Sequence, residues 1–157
     1  MKRRILSLIL VALLLFSLMS CDLIFGDVAD SGDITVVVEA TDGSFEVYKT
    51  YLENVENKAE GVKGVVENLR DREDNPLYLE MVDSTYGAYV SAIGSIKENS
   101  IEKKYVIVYT SVAEDSYEGA PTVDYEGTTL YQAGLGLSGM KADAGTVILF
   151  RLEESPY

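Results

Sequence analysis

The fold is decided by the stretch Lys104-Tyr105-Val106-Ile107-Val108-Tyr109-Thr110-Ser111-Val112, the clearest strand pattern in the 157-residue chain. It consists mainly of β-branched and aromatic residues, which are enriched in strands. Because successive side chains of a strand point to opposite sides, Tyr105, Ile107 and Tyr109 share one face, and Val106, Val108 and Val112 share the other. The stretch therefore predicts a strand around which the remaining elements can be arranged.

The flanking sequence brings the predicted total to about six strands and one helix. A β-branched run from Ile34 to Ala40 ends at the turn Thr41-Asp42-Gly43, and a partner strand is predicted between Ser44 and Val55. Further short strands are predicted at Leu77–Asp83, Tyr86–Ile93, Thr129–Gln132 and Thr146–Leu152. One helix among so many strands favours an α+β fold, with an antiparallel sheet that carries the helix on one face.

The helix is predicted between Ala59 and Arg72. Its evidence is an apolar stripe at positions i, i+3, i+4 and i+7, formed by Val62, Val65, Val66 and Leu69. Glycines in this segment lower helix propensity by about 1 kcal/mol each relative to alanine, so packing must hold the helix. Asn75-Pro76 marks its end.

The first residues predict a lipoprotein signal peptide over residues 1–20. Lys2-Arg3-Arg4 precedes an apolar run from Ile5 to Met19, and Ser20-Cys21 stands where the sequence turns polar. Cys21 is the only cysteine, so lipidation there is favoured over an ordinary secretory signal or a transmembrane anchor. Fatty acyl groups such as palmitate would then hold the protein on the extracytoplasmic side of a membrane in the cell envelope. We expect residues 21–32 to form a lipidated tether and residues 33–157 to form one domain.

The charge and the missing residue types exclude several function classes. The formal net charge is −13, and it falls to −16 when the three cations of residues 1–20 are removed. Such acidity opposes binding to nucleic acid. The chain has no histidine, which removes Ser-His-Asp and Cys-His catalysis and histidine-based zinc sites. We therefore predict a protein that is not an enzyme and has no cofactor.

Two sets of residues could suggest a ligand site but are better explained otherwise. The acidic clusters Asp27, Asp30, Asp33 and Asp71, Glu73, Asp74 lack calcium-loop spacing, so surface charge is favoured and no metal site is predicted. The segment from Gly134 to Gly139 formally matches a dinucleotide motif, but too few residues follow it for that fold. It predicts a turn.

Tyrosine is the most informative residue type for binding. Eleven tyrosines stand against four phenylalanines and no tryptophan. A tyrosine joins an apolar ring to a hydroxyl that tolerates water, which suits a shallow binding face, although single tyrosines in strands commonly pack half-buried. The candidate binding face consists of Tyr86, Tyr89, Tyr105, Tyr109 and Tyr131.

Four motifs also carry a family resemblance. They are Thr85-Tyr86-Gly87-Ala88-Tyr89-Val90-Ser91-Ala92-Ile93-Gly94, Lys104-Tyr105-Val106, Tyr131-Gln132-Ala133-Gly134 and Lys141-Ala142-Asp143-Ala144-Gly145-Thr146-Val147-Ile148. In order and spacing they resemble the C-terminal domain of transcobalamin and intrinsic factor, and its bacterial version in surface lipoproteins. The resemblance implies a β-grasp-like module that covers one face of a corrinoid such as cobalamin. The family's Tyr-Trp pair falls on Tyr105-Val106, so the tryptophan is missing.

Together these features predict a non-catalytic binding lipoprotein that presents tyrosines to a small molecule or to a partner in the envelope. The alternative is a structural or adhesion module within a cell-envelope assembly. A pocket with polar groups near Tyr105 and Tyr131 would favour a small ligand, and a flat face would favour a protein partner.

Overall fold

The computed structural model describes Gly26 and residues 28–154. The predicted signal peptide and Cys21 lie outside this part of the chain. The ten regular elements are β1 (Asp33–Glu39), β2 (Phe45–Tyr51), α1 (Gly61–Glu67), β3 (Leu79–Ser84), β4 (Gly87–Ile93), β5 (Ile96–Lys97), β6 (Lys104–Thr110), β7 (Thr122–Tyr125), β8 (Thr128–Gln132) and β9 (Val147–Glu154). Short 3-10 turns cover Leu52–Asn54, Lys58–Glu60, Ala113–Asp115 and Leu137–Gly139.

The strands form two sheets, and the fold class is α+β as expected. Six strands lie in the order β2-β1-β9-β6-β8-β7, and β3, β4 and β5 form a separate three-stranded sheet. The expected antiparallel sheet is wrong in one respect, because β1 and β9 run parallel, with Val36 opposite Ile148. Since almost the whole chain lies between these two strands, no hairpin turn fixes their relative direction.

The main apolar cluster lies between the six-stranded sheet, the helix and the three-stranded sheet. Alternate residues of β1 supply Ile34, Val36 and Val38 to it, and β9 supplies Ile148 and Phe150; all five are fully buried. The four residues of the predicted stripe, Val62, Val65, Val66 and Leu69, all pack into this cluster, although Leu69 lies beyond the end of the helix. Burial of each such side chain contributes about 1.5–3 kcal/mol.

A second, smaller cluster covers the opposite face of the six-stranded sheet. It comprises Val37, Tyr109, Tyr125, Leu130 and Leu149. The β7–β8 hairpin supplies Tyr125 and Leu130, and the Phe45 and Tyr125 rings make a T-shaped contact with 5.3 Å between centroids. Strands β1, β6 and β9 are therefore apolar on both faces, as the decisive stretch at residues 104–112 already indicated for β6.

The helix is shorter than predicted. It ends at Glu67, and the Asn68 side chain donates to the Gly64 carbonyl oxygen at 2.8 Å. Arg70 then forms a bridge with Pro76, which closes a tight turn from Asp71 to Asn75. This local pairing takes the backbone out of the helical path before the predicted end at Arg72.

The segment before β1 is part of the folded domain. Gly26 donates its backbone N–H to the Ser138 carbonyl at 2.9 Å, and buried Val28 forms a parallel bridge with Ala142. A Cβ at Gly26 would lie 1.8 Å from the Met140 carbonyl oxygen, so only glycine allows this approach. Gly26 and Val28, which lie within the expected tether over residues 21–32, are thus joined to the domain by backbone contacts.

The described residues contain no helix long and apolar enough to cross a membrane.

Candidate functional site

An uncharged groove lies where the β3–β4 hairpin meets the segment that follows β8. We call it the hairpin groove. Its volume is about 200 Å³. Its lining residues are Ser84, Tyr86, Gly87, Ala88, Tyr89, Val90, Val108 and Ala133–Leu137. None of them carries a charge, although 25% of the chain is charged. The groove is therefore a local apolar site on a strongly acidic protein.

Two glycines in direct backbone contact hold the groove together. The Gly136 N–H donates to the Tyr86 carbonyl oxygen at 2.8 Å, and the Ala88 N–H donates to Ser138 Oγ at 3.2 Å. A Cβ at Gly136 would lie 2.6 Å from the Tyr86 carbonyl oxygen and from the Gly87 carbonyl carbon. Gly87 has φ 101°, a conformation that favours glycine. The two segments can approach this closely only because both positions lack a side chain.

The groove rests on the main cluster. Ala88 and Leu137 belong to that cluster and are buried, and Val108, Ala133 and Leu135 pack against it while remaining partly exposed. The base of the groove is thus formed by aliphatic side chains fixed in the protein interior. Such a base offers apolar contact without rearrangement, as preformed small-molecule sites do.

Tyr86 and Tyr89 line the open side of the groove. Tyr86 lies in the two-residue loop of the β3–β4 hairpin, where Ser84 Oγ accepts its backbone N–H at 3.2 Å. Its side chain is 84% exposed, and that of Tyr89 is 41% exposed. Exposed aromatic rings beside an apolar groove are typical of binding surfaces. These two members of the predicted binding face come together.

The other three members lie in the six-stranded sheet. Tyr109 is only 2% exposed and belongs to the second cluster, where its hydroxyl donates to Glu153 Oε1 at 2.8 Å. Burial and the neighbouring Glu153 carboxylate raise the pKa of Tyr109. Tyr105 and Tyr131 are half-buried and do not line the hairpin groove. The five tyrosines therefore do not form one surface.

Among the described residues, burial raises the pKa of two carboxyl groups, and both accept a backbone hydrogen bond. Burial raises the pKa of Asp115, whose Oδ2 accepts the Lys141 N–H at 2.9 Å. Burial also raises the pKa of Glu98, whose Oε1 accepts the Val106 N–H at 3.1 Å. Neither residue lines the hairpin groove. The lining of the groove thus contains no carboxyl group.

Metal ligands do not converge within the part of the chain that the structure describes. There, no three acidic side chains come close enough together to hold a metal ion. Ser84 supplies the only side-chain oxygen in the hairpin groove besides the two tyrosine hydroxyls. The groove is suited to apolar and ring contacts rather than to coordination of a cation.

Sequence reasoning identified Tyr86 and Tyr89 but missed the opposite wall of the groove, Ala133–Leu137. The signal available was the glycine pattern at Gly134 and Gly136, which we interpreted only as a turn. Gly136 permits contact with the distant β3–β4 hairpin. Nothing in the sequence around Gly136 indicates which strands it contacts.

Comparison with known proteins gives the fold and little else. The sequence matches no protein-family model. It also has no significant match among curated proteins.

Fifteen chains of solved structures do match. A candidate metal-binding protein from Ruminococcus gnavus ATCC 29149 gives a TM-score of 0.53 at 14% identity, covering 79% of this chain and 98% of that chain. Haptocorrin in complex with Cbi gives a TM-score of 0.50 at 12% identity, covering 79% of this chain. This chain spans only 25% of the haptocorrin chain. At the level of fold, the likeness to haptocorrin agrees with the transcobalamin-like resemblance seen in the sequence motifs.

Proposed function

We propose that this protein is a lipid-anchored, non-catalytic binding protein of the cell envelope, and that the hairpin groove holds part of an uncharged, ring-bearing small molecule. The observation that carries the proposal is the groove itself. It is uncharged, it has an aliphatic base, and it is bordered by the exposed rings of Tyr86 and Tyr89. Apolar pockets with a few polar groups are the usual form of small-molecule sites.

The size of the groove limits how the ligand is held. At about 200 Å³ it is smaller than the roughly 300–1,000 Å³ typical of sites that enclose a drug-sized molecule. A larger ligand would therefore insert one edge and rest the remainder on the tyrosine rings. This is the contact of a module that covers one face of its ligand.

A corrinoid is the first ligand to test, for two reasons. The sequence motifs resemble a family that binds corrinoids, and haptocorrin, which shares the fold, is known in complex with Cbi. Val106 stands where the resembled family has tryptophan, and it is 2% exposed in the main cluster. Contact with a corrinoid on this chain would then fall to Tyr86 and Tyr89.

Sequence evidence supports the anchor. Lys2-Arg3-Arg4, the apolar run from Ile5 to Met19 and the lone Cys21 together form the pattern of a lipoprotein signal. Two or three acyl chains on one cysteine give stable attachment, whereas a single chain gives marginal binding. Gly26, five residues after this cysteine, already contacts the domain, so the domain would lie near the membrane surface.

The test is a titration with cobinamide of the mature chain, residues 21–157, carrying Cys21→Ser so that it stays in solution. We expect saturable binding by calorimetry and a loss of about tenfold in affinity for the double variant Tyr86→Ala, Tyr89→Ala, since aromatic contacts contribute about 0.5–1.5 kcal/mol each. Tyr51→Ala is the matched control, because Tyr51 is 61% exposed and lies outside the groove. No heat of binding at millimolar cobinamide would exclude a corrinoid, and equal affinity of the double variant would exclude the groove.

A further inference from the structure

The turn end of the β3–β4 hairpin exposes apolar and aromatic side chains. Val82 is 60% exposed and stands opposite Tyr89 in the hairpin ladder. Tyr86 lies in the loop that joins the two strands, and its ring is more exposed than that of any other tyrosine in the described chain. We call Val82, Tyr86 and Tyr89 the hairpin tip. Exposed apolar groups this close together commonly mark a surface that contacts a partner or a membrane.

The sequence around the hairpin tip is uncharged. Residues 84–96, which include β4, and residues 127–140, which include β8 and one wall of the hairpin groove, contain no charged residue. The carboxylate next in sequence, Asp83, forms an ion pair with Lys63 at 3.4 Å. Apart from this pair, the hairpin tip and the wall beside it form a neutral surface on a chain that has 26 acidic residues.

The N-terminal segment enters the domain beside the hairpin tip. Gly26 donates its N–H to the Ser138 carbonyl at 2.9 Å, and Ser138 Oγ accepts the Ala88 N–H at 3.2 Å. Ser138 thus joins Gly26 to the turn end of β4. Gly26 is five residues after Cys21, and a fully extended chain of that length spans at most about 18 Å. A lipid on Cys21 would therefore hold the hairpin tip close to the membrane surface.

The most exposed large apolar side chain lies at the other end of the molecule. Ile101 is 94% exposed and belongs to the connection between β5 and β6, where Lys104 pairs with Glu154 at the end of β9. The chain enters β1 at the opposite end, beside the start of β9, where the Gly145 N–H donates to the Asp33 carbonyl at 2.8 Å. Exposure alone would thus select Ile101, whereas nearness to Cys21 selects the hairpin tip.

Tyrosine and a lack of charge indicate which kind of membrane surface the hairpin tip fits. A tyrosine ring can lie among lipid headgroups with its hydroxyl in water, and tyrosine is enriched at membrane–water interfaces. The hairpin tip has no basic residue to attract anionic headgroups, and the net charge of −13 repels them. The fitting surface is therefore a zwitterionic one.

We propose that the hairpin tip rests in the zwitterionic headgroup region of the membrane to which Cys21 is anchored. This inference rests on the proposed anchor and not on the identity of the ligand in the hairpin groove. The rings of Tyr86 and Tyr89 lie among the headgroups, and Val82 lies beside them. Because the same two tyrosines line the open side of the hairpin groove, the groove opens towards the membrane surface and receives its ligand from there.

The experiment attaches the mature chain, residues 21–157, to phosphatidylcholine vesicles through its one cysteine. A lipid with a maleimide headgroup reacts with Cys21, so attachment does not depend on acylation in the cell. Since the chain contains no tryptophan, Tyr86→Trp supplies a single fluorescent reporter. Brominated acyl chains quench tryptophan only on close approach. We expect them to lower the Tyr86→Trp fluorescence by about twofold or more, because an interfacial side chain reaches the boundary of the acyl region.

Two pairs of variants provide the controls. Ile101→Trp, an equally exposed reporter at the other end of the molecule, is expected to keep its fluorescence in brominated vesicles. Val82→Glu, added to Tyr86→Trp, is expected to remove most of the quenching, because a carboxylate would have to enter the interface. Val47→Glu, the same change at an exposed position of β2, is expected to leave the quenching unaltered.

Equal Tyr86→Trp fluorescence in brominated and unbrominated vesicles would overturn the proposal, as would equally strong quenching of Ile101→Trp. Neither result would bear on acylation of Cys21 or on ligand binding in the hairpin groove. Those two proposals are tested separately, by Cys21→Ser in the full chain and by the cobinamide titration.

Discussion

At the scale of single residues, Asp115 shows how one buried residue joins three segments through its carboxyl group and its backbone. Its Oδ2 accepts the Lys141 N–H, its carbonyl oxygen accepts the Gly134 N–H at 2.8 Å, and its own N–H donates to the Val112 carbonyl at 3.1 Å. It is 2% exposed, so desolvation raises its pKa, and the neighbouring carboxylates of Glu114 and Asp143 add to this. Asp115 therefore fixes the approach to the Ala133–Leu137 wall of the hairpin groove.

We expect Asp115→Asn to change how stability depends on pH. A carboxyl whose pKa is raised by folding contributes stability that is fully present below its unfolded pKa of about 3.9 and is lost as the pH rises through the folded value. Asparagine keeps an acceptor for Lys141 and does not titrate. Between pH 4 and pH 7 the free energy of unfolding of the wild type should therefore fall relative to that of the variant. Urea unfolding measures both values.

The control is Glu114→Gln, which removes an exposed carboxyl next in sequence and is expected to change the pH dependence little. A difference between Asp115→Asn and the wild type that stays constant from pH 4 to pH 7 would show that burial does not alter the titration of Asp115.

At the scale of elements, the β7–β8 hairpin depends on the second cluster. Strand β8 pairs with β6 at only two positions, Tyr109 with Gln132 and Thr110 with Tyr131. The hairpin is otherwise held by Tyr125 and Leu130, which pack on Val37 and Leu149 across the sheet. Side-chain packing therefore does more than the backbone ladder to keep this hairpin in place.

Leu130→Ala tests this dependence. Leu130 is fully buried, and truncation of such a side chain costs about 2–5 kcal/mol. We expect a loss of this size in the free energy of unfolding, together with faster hydrogen exchange across residues 122–132 than across β1 and β9. Thr122→Ala, an exposed change in the same hairpin, is expected to leave both measurements unaltered. Uniformly faster exchange throughout the sheet would contradict a separately held hairpin.

The local sequence was enough to predict most elements but not how they pair. Alternating β-branched runs located β1, β6 and β9, because such runs fit a pleated sheet whatever their neighbours are. Strand β7 was not predicted from the sequence. Its residues, Thr122–Tyr125, precede Glu126-Gly127, whose positive φ values of 50° and 82° form a tight turn into β8. The parallel direction of β1 and β9 is set by contacts between distant segments, and no residue pattern within either strand encodes it.

The candidate site was predictable to a similar extent. Composition singled out the tyrosines, because their number relative to phenylalanine and tryptophan is a property of the sequence alone. Which tyrosines face solvent depends on the tertiary structure, and Tyr109 faces a hydrophobic cluster that the β7–β8 hairpin completes.

At the scale of the whole molecule, the hairpin groove stands out by its lack of charge. None of its lining residues is charged, whereas the groove between β2 and residues 68–73 is lined by three cationic and three acidic residues. No residue lines both grooves.

Attachment to the membrane is tested by Cys21→Ser in the full chain. We expect the variant to lose the acyl groups and to appear in the soluble fraction or as an unprocessed chain, since each buried CH₂ contributes about 0.8 kcal/mol to anchoring. Fractionation and intact mass measure this outcome. Asp22→Ser is the control, and it keeps the cysteine and is expected to remain membrane-bound. A Cys21→Ser chain with unchanged mass and unchanged membrane association would exclude lipidation.

The parallel pair at the centre of the sheet has a consequence for the timing of folding. Strand β1 is made early and β9 last, yet they lie side by side, and β9 also joins β1 to β6. A nascent chain that has not yet released β9 holds two sheet fragments with no strand to connect them. Contacts this distant in sequence also make folding slow. The six-stranded sheet can therefore be completed only after β9 has been made.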